Sequence, residues 1–248
     1  MHNRSKASLR FVRTLTSHQK KTRRVILEKT HKAGLSHLGS AFSAVDVIDA
    51  IYSFKKDQER FILSAGHSAM ALYAVLEIRQ LVDPVLLKDL HIHPDRSLQT
   101  RIDVSSGSLG QGLPIALGMA LADRKKKIYC VITDGECAEG SIWESFRVMH
   151  DQKVSNLIVC VIANGLGAYD AISLKHLLKR IKGFGMDLIP VDGHDHAALV
   201  TQIRKPRKNP TVIFAKTTPE QFPFLTGLAA HYHVMTDDNY RQAMEMLQ

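Results

Sequence analysis

Two polar residues stand at the ends of apolar, strand-like runs. Asp134 follows "IYCVIT", and Asn164 follows "NLIVCVIA" 30 residues later. One crossover helix between the runs would return the second strand beside the first, so that the carboxylate and the carboxamide converge at one edge of a parallel sheet. With a loop carbonyl they form a sparse set of hard oxygen ligands. Such a set suits Mg²⁺ when waters and phosphate oxygens complete its octahedron.

The glycine after this carboxylate, Gly135, would let a phosphate group approach the backbone. The turn leads into a predicted helix, whose N-terminus favours an anion. A simpler explanation competes with this hypothesis, because Asp-Gly and Asn-Gly are common turn sequences that need no ligand. Spacing alone leaves both interpretations open.

The elements that must position these residues alternate between helix and strand, an order that predicts βαβ units. The runs "IYCVI", "NLIVCVIA" and "TVIFA" are continuously apolar, as in strands covered on both faces. We therefore predict an α/β fold, a single domain with a mainly parallel central sheet flanked by helices on both faces. The predicted strands are 60–64, 127–133, 156–163, 187–191 and 211–216. The predicted helices are 17–33, 43–54, 67–80, 83–90, 110–125, 139–152, 173–182 and 195–204.

Capping residues predict where two of these helices begin. Ser43 and Asp46 have the spacing of a capping box, which predicts that a helix begins at Ser43. Asp83 and Pro84 predict an N-cap followed by proline at the first helical position.

The composition is that of a globular protein and argues against a nucleic-acid-binding protein. The chain has 248 residues, of which 45% are hydrophobic, and can bury a large core. Its net charge of +9 comes largely from runs such as "KKTRR", "RKKK" and "RKPRK", which flank predicted helices without aromatic interleaving. We therefore expect no nucleic-acid partner. The 3 cysteines lack CxxC spacing, which predicts neither disulfides nor a zinc knuckle.

The sequence also predicts where in the cell the protein is found. No apolar run is long enough to cross a bilayer, and the N-terminus lacks the continuous apolar region of a secretory signal. We expect a cytoplasmic protein with no membrane partner.

The stretch from "TDGECAEGSIWES" to "NLIVCVIANGL" resembles the thiamine diphosphate motif of the transketolase family, which begins with GDG and ends with Asn. Other landmarks of that family occur in the same order along the chain. They are "HKAGLSHLGSAFSAVDVIDAIY" (SGHPGG in the family), "RFILSAGHSAMALYAVL" (LSxGHxxxxLYA), "HIHPDR" (GHPxR), "SSGSLGQGLPIALGMALA" (TGxLGQG) and "VDGHDHAAL" (DGHD). The resemblance runs from residue 20 to residue 216 and then weakens.

The resemblance implies a domain organisation. Residues 1–248 would form one diphosphate-binding domain, with 1–16 as a basic N-terminal extension and 217–248 as a divergent C-terminal segment. The chain stops near the point where full-length transketolases pass into their pyrimidine-binding domain, so it resembles the N-terminal subunit of a split transketolase. A C-terminal subunit, with the pyrimidine-binding and C-terminal domains, would supply the glutamate that activates the cofactor. The implied assembly is a heterotetramer with two copies of each chain.

The resemblance also implies roles for individual residues. The implied cofactors are thiamine diphosphate and Mg²⁺, for which Ca²⁺ or Mn²⁺ can substitute. The implied metal ligands are the side chains of Asp134 and Asn164 and the carbonyl of Leu166. The implied cofactor contacts are His67, Gly107, Ser108, Leu109, Gly135, Glu136, Asn164 and His194. The implied catalytic residues are His37, His67, His93 and His194. Glu139 is the implied subunit contact.

The implied activity is that of a transferase in carbohydrate metabolism. Such an enzyme moves a two-carbon ketol unit from a ketose or ketose phosphate to an aldose. Departures from the family pattern leave the sugars open: Thr133 replaces the first glycine of GDG, Ala163 replaces an asparagine, and Ile92 replaces a glycine. The stretch "TTPEQFPFLTG" also lacks the family's glycine-rich loop. The alternatives are therefore a role in a specialised sugar pathway and a noncatalytic stabilising or regulatory subunit.

Two other kinds of site are possible on sequence grounds. Alternate histidines of an extended segment share a face, so the pairs His91/His93, His194/His196 and His231/His233 allow a zinc site. The pairs fall within or near the transketolase landmarks, which disfavours zinc. "GSLGQG" departs from the GxGxxG of dinucleotide-binding proteins and follows "DVSS", not a long strand.

Overall fold

Five parallel strands form the sheet at the centre of the fold. The structure is a computed structural model that describes residue 8, residues 10–87 and residues 91–248. The strands lie in the order β1-β2-β3-β5-β4, and every neighbouring pair is parallel. They are β1 (Arg60–Leu63), β2 (Ile128–Thr133), β3 (Leu157–Ala163), β4 (Asp187–Asp192) and β5 (Thr211–Lys216). The predicted parallel sheet is confirmed, and each strand end lies within one residue of its predicted position.

Helices cover this sheet. They are α1 (Ser17–Lys32), α2 (Leu38–Tyr52), α3 (Ala69–Ile78), α4 (Gly112–Ala122), α5 (Gly140–Asp151), α6 (Leu174–Lys182), α7 (His196–Arg204), α8 (Ala229–Tyr232) and α9 (Asp237–Met246). Single 3₁₀ turns span Gly66–Ser68, Pro84–Leu87 and Gly135–Ala138. The helix predicted over 83–90 is wrong in its described part, which is only the short turn, and residues 88–90 lie outside the described residues.

The two faces of the sheet pack against different helices. On β2, Tyr129 and Val131 join a core with residues of α1, α2, α3, α7 and α9. Ile128, Cys130 and Ile132 join a second core with residues of α4, α5 and α6. Because successive strand residues point to opposite faces, a strand covered on both faces must be apolar at every position. The continuous apolar runs of the sequence follow from this requirement.

Helix α2 begins earlier than its predicted start at Ser43. It starts at Leu38, and Ser43 lies inside it, where its hydroxyl donates to the Gly39 carbonyl at 2.9 Å. Asp46 bonds Arg23 and His194 and makes no capping box. The predicted start is wrong because serine can bond the carbonyl four residues earlier and so remain in a helix interior.

Both ends of the chain contribute to the domain core. Residues 10–14 are helical, and Val12 and Leu15 are buried in the first core. Near the other end, Phe222 and Leu225 are buried in that core, and α9 packs against α1. The predicted extension and divergent segment are therefore packed parts of the domain where they are described; residues 1–7 and 9 lie outside the described residues.

The helices of the described residues are short or carry charged residues. None of them is long and apolar enough to cross a membrane.

Two glycines of α4 are a matched test of this packing. A Cβ at Gly112 would lie 2.5 Å from the Ser64 Cα, whereas a Cβ at Gly118 would meet nothing within 4 Å. We expect Gly112→Ala to lower the free energy of unfolding by about 1–3 kcal/mol through overpacking. Gly118→Ala should raise it by about 0.5–1 kcal/mol, because alanine loses less backbone entropy in a helix. Urea denaturation measures both, and equal effects would contradict this view of α4.

Candidate functional site

The loops after β2 and β3 touch directly. The Asp134 backbone N–H donates to the Ile162 carbonyl at 2.9 Å, which continues the ladder between the strands. Beyond it, the Gly165 N–H donates to Asp134 Oδ2 at 2.7 Å and the Gly135 N–H donates to Oδ1 at 3.0 Å. The carboxylate after one strand is thus held by the backbone after the next, as the spacing predicts.

The Asp134 carboxylate is buried among neutral partners. Its side chain is nearly inaccessible, and the groups that bond it are backbone N–H groups. Burial raises the pKa of Asp134 to about 7, although the N–H groups of Gly165 and Gly135 act in the opposite direction. A buried carboxylate without a charged partner is stabilised by a cation, so this position fits a divalent metal ion.

Asn164 and Leu166 shape the neighbouring loop. Asn164 Oδ1 accepts from the Leu166 N–H at 2.9 Å, and its Nδ2 donates to the Ser43 hydroxyl of α2 at 3.3 Å. Leu166 forms an isolated antiparallel bridge with Ala171, which turns the loop back on itself. The three sequence-predicted metal ligands therefore lie on two adjoining loops.

These loops form one wall of a cavity of 480 Å³ at the carboxyl edge of the sheet. The cavity is lined by most of the sequence-predicted site residues: His37, His67, His93, Gly107, Leu109, Asp134, Gly135, Glu139, Asn164 and Leu166. It is also lined by Ser40, Ser43, Tyr169, Asp170, His231 and Tyr232, whose place in the site sequence reasoning missed. Parallel strands and their loops thus bring together residues from five separate motifs.

Four histidines line this cavity: His37, His67, His93 and His231. Burial lowers the pKa of His67 to about 3, with smaller contributions from the other three histidines. Burial also lowers the pKa of His37, helped by His231 and His93, and that of His231. Close, buried imidazoles disfavour one another's protonation, so these three side chains are neutral at neutral pH.

His37 occupies a strained backbone position. Its φ is 65°, in the left-handed region that non-glycine residues seldom adopt. Two contacts hold it there: the His37 N–H donates to the His231 carbonyl at 2.9 Å, and Ser36 Oγ lies 2.8 Å from His37 Nδ1. Such strain is common at functional sites, where the surrounding structure maintains it.

At two glycines of the cavity lining, a side chain is absent for different reasons. At Gly135 a Cβ would have its nearest neighbours at 3.7 and 3.8 Å, so the protein itself does not require a glycine there. The open space suits a bound group that approaches the backbone. At Gly107 the φ is +149°, and a Cβ would lie 3.0 Å from the ring of His93. Gly107 therefore lets His93 lie against the backbone.

Glu136 lies beneath the cavity and does not line it. Its Oε1 accepts from the Ser64 hydroxyl at 2.6 Å and from the Gly110 N–H at 3.0 Å, and its Oε2 accepts from the Thr133 N–H at 3.1 Å. In return, the Thr133 hydroxyl accepts from the Glu136 N–H at 3.2 Å. The fully buried carboxylate thus joins the loops after β1 and β2 to the turn before α4. Ser108, which lies in that turn, does not line the cavity either.

His194 lies outside the cavity as well. Its Nδ1 is 2.7 Å from Asp46 Oδ2, and its Nε2 accepts from the Thr218 N–H at 3.0 Å. Both ring nitrogens are therefore engaged within the protein. The structure brings His37, His67 and His93 together and leaves His194 apart from them.

Other kinds of metal site find no support in the described part of the chain. Within residues 8, 10–87 and 91–248, no group of three or more His, Cys, Asp or Glu side chains could hold a metal ion. The zinc alternative therefore has no site there.

Comparison with known proteins agrees with this geometry. The family "Transketolase, thiamine diphosphate binding domain" matches residues 16–242. Human transketolase is 35% identical over 217 residues, which cover 77% of this chain and 35% of the relative. One of the subunits of apulose-4-phosphate transketolase from Phocaeicola vulgatus is 27% identical over 263 residues, covering 94% of this chain and 93% of the relative.

A solved structure shows the same fold. Transketolase from Campylobacter jejuni superposes with a TM-score of 0.76 at 22% identity, covering 93% of this chain and 42% of that one. The chain thus spans about a third of the length of the curated full-length transketolases it matches.

The histidine cluster predicts a pH dependence of stability. The folded pKa of His67 is about 3, below its unfolded value, so its contribution to stability is present above the unfolded pKa and is lost as pH falls. Between pH 7 and pH 5 this loss should be about 2 kcal/mol, and His67→Gln should remove it. Urea denaturation at each pH measures the free energy of unfolding. Identical pH profiles for the two proteins would contradict the assigned pKa.

Proposed function

This chain belongs to the transketolase family through its thiamine diphosphate-binding domain, and from that premise we propose that its cavity binds thiamine diphosphate with a divalent metal ion. One observation carries the proposal: the parallel strands place Asp134, Asn164 and Leu166 around a single cavity together with Gly135 and neutral histidines. The side chains of Asp134 and Asn164 and the carbonyl of Leu166 would hold Mg²⁺, and Ca²⁺ or Mn²⁺ can take its place.

The residues present fit such a group. The buried carboxylate of Asp134 is bonded by backbone N–H groups and lacks a charged partner in these contacts. The backbone at Gly135 has free space beside it, which a diphosphate requires. Thr133 is compatible with this turn although the family has glycine there, because its hydroxyl accepts from the Glu136 N–H at 3.2 Å.

We propose that the chain takes part in transfer of a two-carbon ketol unit between sugars. Bound thiamine diphosphate supplies a nucleophilic carbon for breaking and forming the carbon–carbon bond next to a ketose carbonyl. The neutral rings of His37 and His231 are suited to exchange protons with sugar hydroxyls. His67, with a pKa of about 3, is too weak a base for that task and is suited to orient a hydroxyl by hydrogen bonding. His93, against Gly107, faces the same space.

We propose that a second chain completes the site. Tyr169 and Tyr232 line the cavity yet are 85% and 55% exposed, so its rim is open to a partner. The relative that this chain covers over 93% of its length is named as one subunit of a transketolase. The partner would carry the pyrimidine-binding and C-terminal domains, Glu139 would lie at the contact, and two copies of each chain would form a heterotetramer. A sugar or sugar phosphate is the proposed substrate class.

The direct test mixes this chain with the product of the neighbouring reading frame, thiamine diphosphate, Mg²⁺ and a panel of ketoses and aldoses. Ketol transfer that requires both chains would support the proposal. A stable two-chain complex that binds no cofactor would favour the noncatalytic alternative.

Gly135→Ala should weaken cofactor binding without harming the fold. The new methyl group has ordinary contact distances of 3.7 and 3.8 Å to the protein, but it occupies the space proposed for the diphosphate. We expect the dissociation constant to rise about tenfold or more, equivalent to about 1.4 kcal/mol. Calorimetric titration of the two-chain complex with Mg²⁺ measures it. Gly140→Ala, at the start of α5 with nothing within 4 Å of its Cβ, is the control, and equal affinities would refute this place for the diphosphate.

Asp134→Ala should abolish metal-dependent cofactor binding and activity while the two chains still associate. The variant removes the proposed metal ligand from a buried position between neutral groups. It also removes the free-energy cost of burying that carboxylate. Size-exclusion chromatography checks the complex, and titration with Mg²⁺ checks binding. Asp151→Ala, which removes an exposed carboxylate at the end of α5, is the control. Activity retained in Asp134→Ala would overturn the metal assignment.

A further inference from the structure

A buried polar network lies behind the cavity. At its centre, Arg23 of α1 is fully buried and bonds Asp46 of α2 through two nitrogens, at 3.0 and 2.6 Å. Its third nitrogen, Nε, donates to Gln221 Oε1 at 2.8 Å. A buried arginine with a carboxylate and an amide partner has a fixed orientation, because losing either partner would leave a buried charge incompletely bonded.

Gln221 uses its remaining polar atoms on two backbone carbonyls. Its Nε2 donates to the Phe42 carbonyl of α2 and to the Thr218 carbonyl, both at 3.0 Å, and the residue is fully buried. One amide side chain thus ties the segment after β5 to both α1 and α2. No polar atom of this side chain is left without a partner, so the arrangement is well specified.

His194 closes the network from the other side. Because the Thr218 N–H donates to Nε2, the ring proton is on Nδ1 and points to Asp46 Oδ2, 2.7 Å away. The backbone of Thr218 is therefore held at its N–H by His194 and at its carbonyl by Gln221. Phe11 packs edge-on against the His194 ring at a centroid distance of 4.9 Å, which covers this contact.

The segment held in this way forms a wall of the cavity. After Gln221 the chain continues to α8, where His231 and Tyr232 line the cavity. The wall also fits closely against α2, since a Cβ at Gly39 would lie 3.1 Å from both Ala230 and Pro219. The His231 carbonyl then accepts from the His37 N–H at 2.9 Å. The position of two cavity histidines thus depends on where this segment lies.

We infer that Arg23, Asp46, His194 and Gln221 are positioning residues that lock the segment 217–232 against α1 and α2, so that this wall of the cavity is formed before the cofactor binds. The sequence has no glycine-rich loop here that would close over a bound group, and the buried network takes the place of such a closure. The part of this inference that concerns cofactor affinity rests on the proposed function. The part that concerns the wall does not.

Hydrogen–deuterium exchange of the whole chain tests the wall directly. In the native chain, amides of 217–232 should be protected without cofactor and change less than about twofold when thiamine diphosphate and Mg²⁺ are added. In Gln221→Leu their protection should be nearly lost, with the segment closed only about a tenth of the time, while exchange of the β2 and β3 amides changes less than about twofold. Cofactor should restore the protection. Gln221→Glu keeps a partner for Arg23 but removes both donated bonds, and should show the same local loosening if Gln221→Leu does not fold.

Cofactor affinity gives a second readout. The apparent dissociation constant rises by the factor by which the closed fraction of the wall falls. Gln221→Leu should therefore bind thiamine diphosphate about tenfold more weakly. The kcat of the two-chain enzyme at saturating cofactor should stay within about twofold, because bound cofactor restores the closed wall. Asn156→Leu removes an amide whose Nδ2 lies within 3.0 Å of three backbone carbonyls at the opposite edge of the sheet, and it should change neither quantity.

Three results would overturn the inference. Native amides of 217–232 that are protected only after cofactor is added would show that the wall is not preformed. Exchange that rises equally in β2 and β3 of Gln221→Leu would show a role in general stability. Unchanged local exchange in both Gln221 variants would remove the network from the locking of the segment. Failure of every variant and the native complex to bind cofactor would instead refute the proposed function, and the exchange results would still decide the wall.

Discussion

The parallel pairing of β2 with β3 is the constraint on which the site depends. It aligns Thr133 with Ile162, so both strands end at the same level and their loops emerge side by side. The Gly165 N–H then reaches the Asp134 carboxylate at 2.7 Å. A shift of one residue along either strand would turn the apolar side chains of that strand to the wrong cores and separate the two loops. The same ladder therefore sets both the packing of the sheet and the geometry of the cavity.

Buried charges hold the surroundings of the cavity in place. Glu136 joins the loops beneath it, and Asp46 and Asp49 of α2 bind partners on α1, at the C-terminal end of α3 and in the segment after β4. Burial works to raise the pKa of Asp49, but hydrogen bonds from His196 and Arg79 outweigh it and lower the pKa to about 2. Such groups are costly to bury unless every partner is present. They consequently favour one arrangement of helices and loops over near alternatives.

The described lining of the cavity is free of lysine and arginine side chains, whereas two basic runs lie at the opposite edge of the sheet. Among the described residues that line the cavity there is no lysine or arginine, although the chain carries a net charge of +9. Basic runs instead lie at the edge where strands begin, at 124–127 before β2 and at 204–208 before β5. A diphosphate in the cavity would thus be balanced by a metal ion and backbone N–H groups, while neutral histidines remain free to bond hydroxyls.

The sequence by itself determined the strands and the convergence of Asp134 with Asn164, because continuous apolar runs and the βαβ order depend on local composition and on a sheet buried on both faces. It also indicated three of the four cavity histidines through their motifs. Only the tertiary structure decided that Glu136 lies beneath the cavity, that His194 is bonded to Asp46 and Thr218, and that His231 joins the cavity. These outcomes depend on contacts between residues up to 198 positions apart, such as Arg23 with Gln221. No local periodicity records such contacts, since they arise only when helices pack and buried polar groups must find partners.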